Sequence, residues 1–410
     1  MGADRRASTL HALTVLAAIG VALGAAGCDD PCFDATYDPC DVLEEGCQKA
    51  VYTAIACLRE AKDATPPPIR VLTPDEYAAE LRATATEAPD APYDAAADRL
   101  LRFSPPDAGG TLEEWIAYRV RMTLAYYSNT TKQVTLIRHD DADPDEAQQV
   151  LAHEFVHAQQ DLEHDLQALL TTYAVTVDSE LGVRSLVEGE AMHQQGAYYA
   201  ALQGWESVDY AAAYAEMQTN CRASAVNATT DIVEAVDGFA YAFGGAYVTL
   251  VWESSGAGAV NGLFGDPPRT SLDYFRGDPE TRVPTVATLP DLGLALPEGY
   301  RQIRDTTLGA WALYAFFART GLVADAEFLA TGWDGDRREV FAAEAPESAV
   351  VLWRIRFTDA ADATAAAAGI ASSTAAGGVW QVRADDREVT LVAAATQAEL
   401  DTFTALVGGF

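Results

Sequence analysis

Apolar residues recur at helical rather than strand spacing between residues 145 and 170: Val150, Phe155, Leu162, Leu166 and Leu169. No Gly or Pro interrupts that stretch. Asp143-Pro144-Asp145-Glu146 opens it with an N-cap carboxylate, a proline suited to the first turn and a glutamate three residues after the cap. One helix over 145–170 is therefore expected. Upstream, Thr73-Pro74-Asp75-Glu76 is a capping box that starts a helix through Leu81, and further helices are expected at 94–103 and 112–125. Residues 65–69 read as a stiff proline-rich spacer, and 132–138 (KQVTLIR) as a strand.

Helical pattern continues through 192–218, around Tyr241 and Tyr247, and over 308–320. Residues 265–271 and 277–290 read as loops. A helix ending near Ala330 is followed by a tight turn at 332–337, where Trp333 and Asp336 lock a corner. The period then changes. Val351, Trp353, Ile355 and Phe357 alternate on one strand face, and an Ala-rich helix follows at 359–372. A hairpin turns at Asp385-Asp386, and a helix at 397–407 completes a β-α-β-β-α order. The fold class expected is α+β, with a mainly helical body over 70–345 and a small C-terminal layer over 346–410.

The chemistry sits inside the first of these helices. His153-Glu154-Phe155-Val156-His157 places two imidazoles one turn apart, so both can reach one metal ion. Glu154, one step round, stands where it can take a proton from the water that such a metal activates. A catalytic zinc needs a third protein ligand. The glycine and histidine expected three and six residues after His157 in one zinc-protease pattern are replaced by Gln160 and Glu163. The better candidate is Glu188, in an apolar helical turn where Gly189 suits close approach of another helix. Glu190 is its rival and faces elsewhere on a helix. One Zn²⁺ per chain is expected on His153, His157 and Glu188, with Glu154 as catalytic base.

HEFVHAQQD followed by LVEGEA resembles the gluzincin class of zinc metallopeptidases, whose third ligand is a downstream Glu that in many members opens E-G-x-A. That likeness implies a zincin-like body and maps the ligand to Glu188. It puts Asp161 where several members orient a ligand histidine, although Asp161 could equally be a plain helix-surface carboxylate. It also implies that the strand at 132–138 edges the cleft and pairs with extended substrate. A Tyr or His steadies the oxyanion in that class; Tyr241 is the nominee here, with packing in a helix interface as its alternative. Further stretches, including AYYSNTTKQVTL, YAFGGAYV and VNGLFGDPPRTS, are similar to a poorly characterised group of secreted or surface HExxH proteins over roughly residues 70–360. His139, His164 and His193 carry no assigned role and are expected to be exposed.

Charge narrows the partners. Lys and Arg total 27 against 61 Asp and Glu, a net charge of −34, which disfavours nucleic acid and anionic lipid surfaces. With 49 % hydrophobic and 21 % charged residues the chain is globular rather than disordered. Residues 1–27 read as an export leader, and Ala25-Ala26-Gly27-Cys28 resembles a bacterial lipoprotein site, though Leu23 lies two residues earlier than usual. Cys28 would then carry lipid, making a cell-envelope lipoprotein, or a secreted protein if it does not.

Cys32, Cys40, Cys47 and Cys57 fall in an N-terminal Cys-rich module over 28–64 and can form two disulfides in three pairings. Nested bridges, Cys32–Cys57 and Cys40–Cys47, suit a helix over 47–57 that folds back on the chain before it. Cys221 is then a buried free thiol. The expected activity is hydrolysis of peptide bonds in a peptide or protein substrate. A silent envelope-binding protein and a zinc amidase acting on cell-wall material are the alternatives.

Overall fold

The computed structural model describes residues 32, 37–61, 65–85, 89–105, 111–281, 286–344, 347–373 and 378–408. The expected leader and Cys28 lie outside the described residues. The chain begins with α1 (Glu45–Leu58), β1 (Ile69–Leu72), α2 (Pro74–Thr84), α3 (Ala91–Leu100), α4 (Leu112–Met122), β2 (Ala125–Ser128) and β3 (Gln133–Ile137). Its central helices are α5 (Pro144–His164), α6 (Leu166–Tyr173), α7 (Val177–Leu202), α8 (Tyr210–Val226), α9 (Ile232–Ser255), α10 (Ala257–Leu263) and α11 (Ser271–Arg276). Then come β4 (Tyr300–Thr306), α12 (Gly309–Arg319), α13 (Ala326–Thr331), β5 (Trp333–Glu344) and β6 (Glu347–Phe357). The chain finishes with α14 (Ala360–Ser372), β7 (Val379–Asp385), β8 (Glu388–Ala394) and α15 (Gln397–Leu406). The fold is α+β, with one three-stranded and one five-stranded sheet.

The small sheet has order β1-β3-β2, parallel on one side of β3 and antiparallel on the other. The strand expected at an edge, β3, is therefore central, and β1 and β2 are the edges. Both β1 and β2 were hidden in the sequence, each being only four residues long and adjoining a proline run or a helix end.

The expected helix over 145–170 is two. Asp165 adopts a left-handed conformation (φ 51°, ψ 78°), ends α5 and caps α6 by accepting from the Ala168 amide. That break leaves Leu162, read as part of the apolar face, 71 % exposed. The stretch 192–218 likewise spans the end of α7 and the start of α8, with a turn between them.

Two disulfides have the nested pairing, Cys32–Cys57 and Cys40–Cys47, and Cys221 is a buried free thiol. Helix α1 does not form a core of its own. Val51, Tyr52 and Ile55 pack with Leu151 and Phe155 of α5, Val134 of β3 and Ala191 of α7. No described helix is long and apolar enough to cross a membrane.

In the large sheet the order is β4-β5-β6-β8-β7, all antiparallel. The expected β-α-β-β-α order is present, but β4 and β5 extend the sheet upstream. The expected division at 345/346 falls between β5 and β6, which pair along nearly their whole length. The turn expected at 332–337 is instead the start of β5. Strand β4 (YRQIRDT) is mostly polar and exposed, so it carried no apolar alternation to read.

Val351, Trp353, Ile355 and Phe357 do share one face, against the helical body, while Val350 and Leu352 pack toward Leu400 and Phe403 of α15 on the other. Asp336 has the structural role expected of it, at the start of a strand rather than in a turn. Its buried carboxylate accepts from Trp333 Nε1 (3.0 Å), Trp353 Nε1 (2.8 Å) and the amides of Leu308 and Gly309.

Candidate metal centre

Helix α5 starts as its sequence dictates, with the Asp143 carboxylate accepting from the amides of Asp145 and Glu146. Packing against α1, β2, β3 and α7 buries its middle on several sides, including His153, Glu154, Gln159, Gln160 and Asp161. Helix α7 presents Glu188 to it. The height of Glu188 is set by the crossing of α7 with α9: a Cβ at Gly189 would run into the Gly244 carbonyl, and one at Gly244 into the Ser185 carbonyl. Only glycines allow backbones that close. The glycine beside the acid thus serves the close approach expected of it.

His153, His157 and Glu188 converge. Their ligand atoms all lie within 4.8 Å of one another. His157 Nε2 is 3.0 Å from His153 Nε2, and Glu188 Oε2 is 3.2 Å from His153 Nε2 and 3.3 Å from His157 Nε2. Ligands held about 2.0–2.1 Å from a tetrahedral zinc stand about 3.3 Å apart, so these three atoms outline one face of such a cage.

The outer nitrogens fix which lone pairs point inward. His157 Nδ1 lies 2.9 Å from Gln160 Oε1, and His153 Nδ1 lies 3.0 Å from Gln195 Oε1. The Gln160 amide nitrogen is committed to Val187 O and Glu190 Oε2, both at 2.9 Å, so its oxygen must face the imidazole. His157 Nδ1 is then the donor and its Nε2 is free to bind a cation.

Electrostatics favour a cation here. Burial disfavours a charged His157, yet the Glu188 carboxylate outweighs it and raises the imidazole to about 9. Burial also opposes ionisation of Glu188, but His157 and the bonds from both imidazoles hold its carboxyl well below the ordinary range. Two imidazoles, one carboxylate and correct tautomers fit zinc.

Glu154 is not one of the convergent ligands. Its Oε2 accepts the Tyr127 amide of β2 at 2.7 Å. Tyr241 of α9 sits with its ring centroid 6.1 Å from that of His153, and its hydroxyl is pushed up first by the charge of Glu188, then by burial and by Glu154. Arg184, one turn before Glu188 on α7, pairs with Asp237 at 3.2 Å.

Asp161 does not orient a ligand histidine. It accepts from Lys132 Nζ (2.7 Å), Tyr127 Oη (2.6 Å) and the Leu166 amide (2.9 Å), tying the end of α5 to the small sheet. The orienting groups are Gln160 and Gln195. Each had a faint signal in sequence: Gln160 lies three residues after His157, and Gln195 two turns after Glu188 on the same face of α7.

The remaining histidines stand apart from the centre. His193 is buried, not exposed; it bonds Thr249 at 2.9 Å between the rings of Tyr210 and Trp252. His164 stacks on Phe264, and His139 lies 3.1 Å from Thr123 O; both are half-buried. A cavity of about 780 Å³ opens at the other end of α7, lined in part by Asp178, Arg269 and Arg337, and includes none of the convergent residues.

One protein family matches part of the chain: a family described as Domain of unknown function (DUF8575), over residues 298–404. That segment begins just before β4, ends within α15 and contains none of His153, Glu154, His157 and Glu188. No curated protein and no solved structure matches the chain.

Proposed function

We propose that this chain is an exported zinc-dependent peptidase of gluzincin type, with His153, His157 and Glu188 as the ligands of one zinc ion. The observation that carries this is the 3.0–3.3 Å triangle of two imidazole nitrogens and a carboxylate oxygen, with both outer ring nitrogens facing glutamine oxygens. Zinc, when bound, supplies Lewis acidity that brings a water to a pKa of about 7 and polarises a carbonyl.

Glu154 is the proton carrier. The Tyr127 amide holds Oε2, leaving Oε1 to take the proton of the attacking water and return it to the leaving amine. Tyr241 steadies the developing negative charge, a role supported by its place over His153 and its electrostatic coupling to Glu188 and Glu154.

Substrate backbone adds along the outer edge of β2. Residues Leu124 and Ser128 bond toward β3, so Ala125 and the Tyr127 carbonyl face away from it, while the Tyr127 amide is held by Glu154. Recognition of backbone rather than side chains follows. The leader read over 1–27 and the lipoprotein site at Cys28 put the activity in the cell envelope, or outside the cell if Cys28 is not lipidated. The two disulfides agree with export.

The test is a peptide-library digest with and without a metal chelator, using wild type and Glu154→Gln. Chelator-sensitive cleavage that Glu154→Gln abolishes supports the proposal. Cleavage by Glu154→Gln at the wild-type rate overturns the assignment of Glu154, and no cleavage by the zinc-loaded wild type overturns the activity.

A further inference from the structure

The bond from Gln160 to Glu190 is one link in a longer buried polar chain whose far end has no role in the reading above. It begins at Arg59, the residue that follows α1 and lies two positions after Cys57. Its side chain is 3 % exposed and wedged between α5 and α7. Arg59 Nε donates to Glu190 Oε1 at 3.0 Å, and its two Nη groups reach Gln159 Oε1 and Glu163 Oε2, each at 3.2 Å. The other oxygen of Glu190 accepts from Gln160 Nε2 at 2.9 Å, and Gln160 Oε1 meets His157 Nδ1 at 2.9 Å. Donors and acceptors alternate along the whole series, and each link admits one orientation.

We infer that Arg59 and Glu190 are positioning residues for the metal centre, setting the tautomer of His157 through the Gln160 amide. This rests on the zinc reading above. The guanidinium can only donate, so Glu190 Oε1 accepts from it and Oε2 is left as an acceptor. That oxygen and the Val187 carbonyl each accept from the Gln160 amide nitrogen at 2.9 Å, and together they turn the amide oxygen to His157. His157 Nδ1 must then carry the hydrogen, and Nε2 keeps its lone pair for the metal. The disulfide-clamped N-terminal segment therefore supplies a working part of the site rather than a detachable extension. Cys32–Cys57 and the packing of α1 on α5 fix the point from which Arg59 reaches inward.

Glu190→Gln is the informative change because it keeps shape and removes only an acceptor. A glutamine there faces either Arg59 or Gln160 with its NH₂ group, and one donor–donor clash is unavoidable. Relief comes by displacing the Gln160 amide, since the Val187 carbonyl that its nitrogen also meets at 2.9 Å opposes a flip, and the displacement weakens the acceptor held against His157 Nδ1.

The experiment measures Zn²⁺ affinity by chelator competition and the visible spectrum of the Co²⁺-loaded protein. It compares wild type, Glu190→Gln, Arg59→Met and Arg59→Lys, with the melting temperature of each metal-free protein as a check on folding. Glu190→Gln and Arg59→Met are expected to bind zinc roughly 10–100-fold more weakly with an altered Co²⁺ spectrum, and Arg59→Lys to recover part of the loss. Should Arg59→Met not fold, the comparison rests on Glu190→Gln and Arg59→Lys. Folded variants with wild-type affinity and spectrum overturn the relay alone. A wild-type chain that takes up no zinc overturns the metal reading, and the relay with it.

Discussion

The α-carbon of Gly189 faces the carbonyl of Gly244 with no room for a methyl group between them. Two long helices, α7 and α9, meet there, one residue from the acid that completes the convergent triad of His153, His157 and Glu188. The crossing couples packing to chemistry, because any side chain at Gly189 pushes α7 outward and carries Glu188 with it. Gly189→Ala should cost roughly 1–3 kcal/mol in stability and weaken zinc binding as well. Melting curves and chelator competition on the same preparation test both. Unchanged metal affinity in a destabilised variant would separate the crossing from the site.

Asp161 offers the opposite pattern. Its buried carboxylate holds Lys132, Tyr127 and the Leu166 amide and touches neither ligand imidazole. Asp161→Asn should lose about 1–3 kcal/mol of stability while zinc affinity stays within about twofold of wild type. A tenfold loss of metal affinity in the folded variant would restore the orienting role that the family resemblance implies.

His193 should make the fold acid-labile. Burial between Tyr210 and Trp252 lowers its imidazole to about 4, against an ordinary 6.5, with only the Glu190 charge opposing. The unfolded chain therefore binds the proton first. The contribution of neutral His193 is complete above pH 6.5 and is lost as pH falls toward 4, by roughly 3 kcal/mol over that window.

Asp178 works in the other direction. Burial raises it to about 7, so its contribution falls as pH rises from about 4 to 7. The effect of His193 is consequently read as the difference between wild type and His193→Gln in urea melts at each pH. That difference should shift in favour of His193→Gln as pH falls from 7 to 4; a flat difference would contradict the assignment.

The N-terminal bridge is a further source of stability. Cys32–Cys57 closes a loop of 25 residues, worth about 3 kcal/mol by chain entropy. Replacing both cysteines by serine should lower stability by about that amount. A change below about 1 kcal/mol would mean that α1 is held by its packing on α5 alone.

What the sequence revealed and what it concealed divide by range. His153, Glu154 and His157 were legible because four-residue spacing on a capped, Gly-free helix leaves their relative placement little freedom. Glu188 was legible through the glycine beside it, and the nested disulfides through the helix that separates them. The break at Asp165 was not legible, since an aspartate in a left-handed cap looks like any helix-surface acid.

Arg59, Gln160 and Gln195 were missed for a different reason. Gln160 and Gln195 stand at helical spacing from His157 and Glu188, but a glutamine carries no metal chemistry of its own to mark it, and Arg59 reaches Gln159 and Glu190 across 100 and 131 residues. Strand β2 was concealed by its brevity, and so its neighbour β3 was read as an edge strand. Polar, exposed β4 offered no alternation at all, which is why the large sheet seemed to begin fifty residues later than it does.

Metal analysis of the purified chain, with and without His157→Ala, tests the central claim most directly. One zinc per wild-type chain and a loss of that zinc in the folded variant are expected. A wild-type chain that holds no stoichiometric zinc after exposure to it would contradict the account.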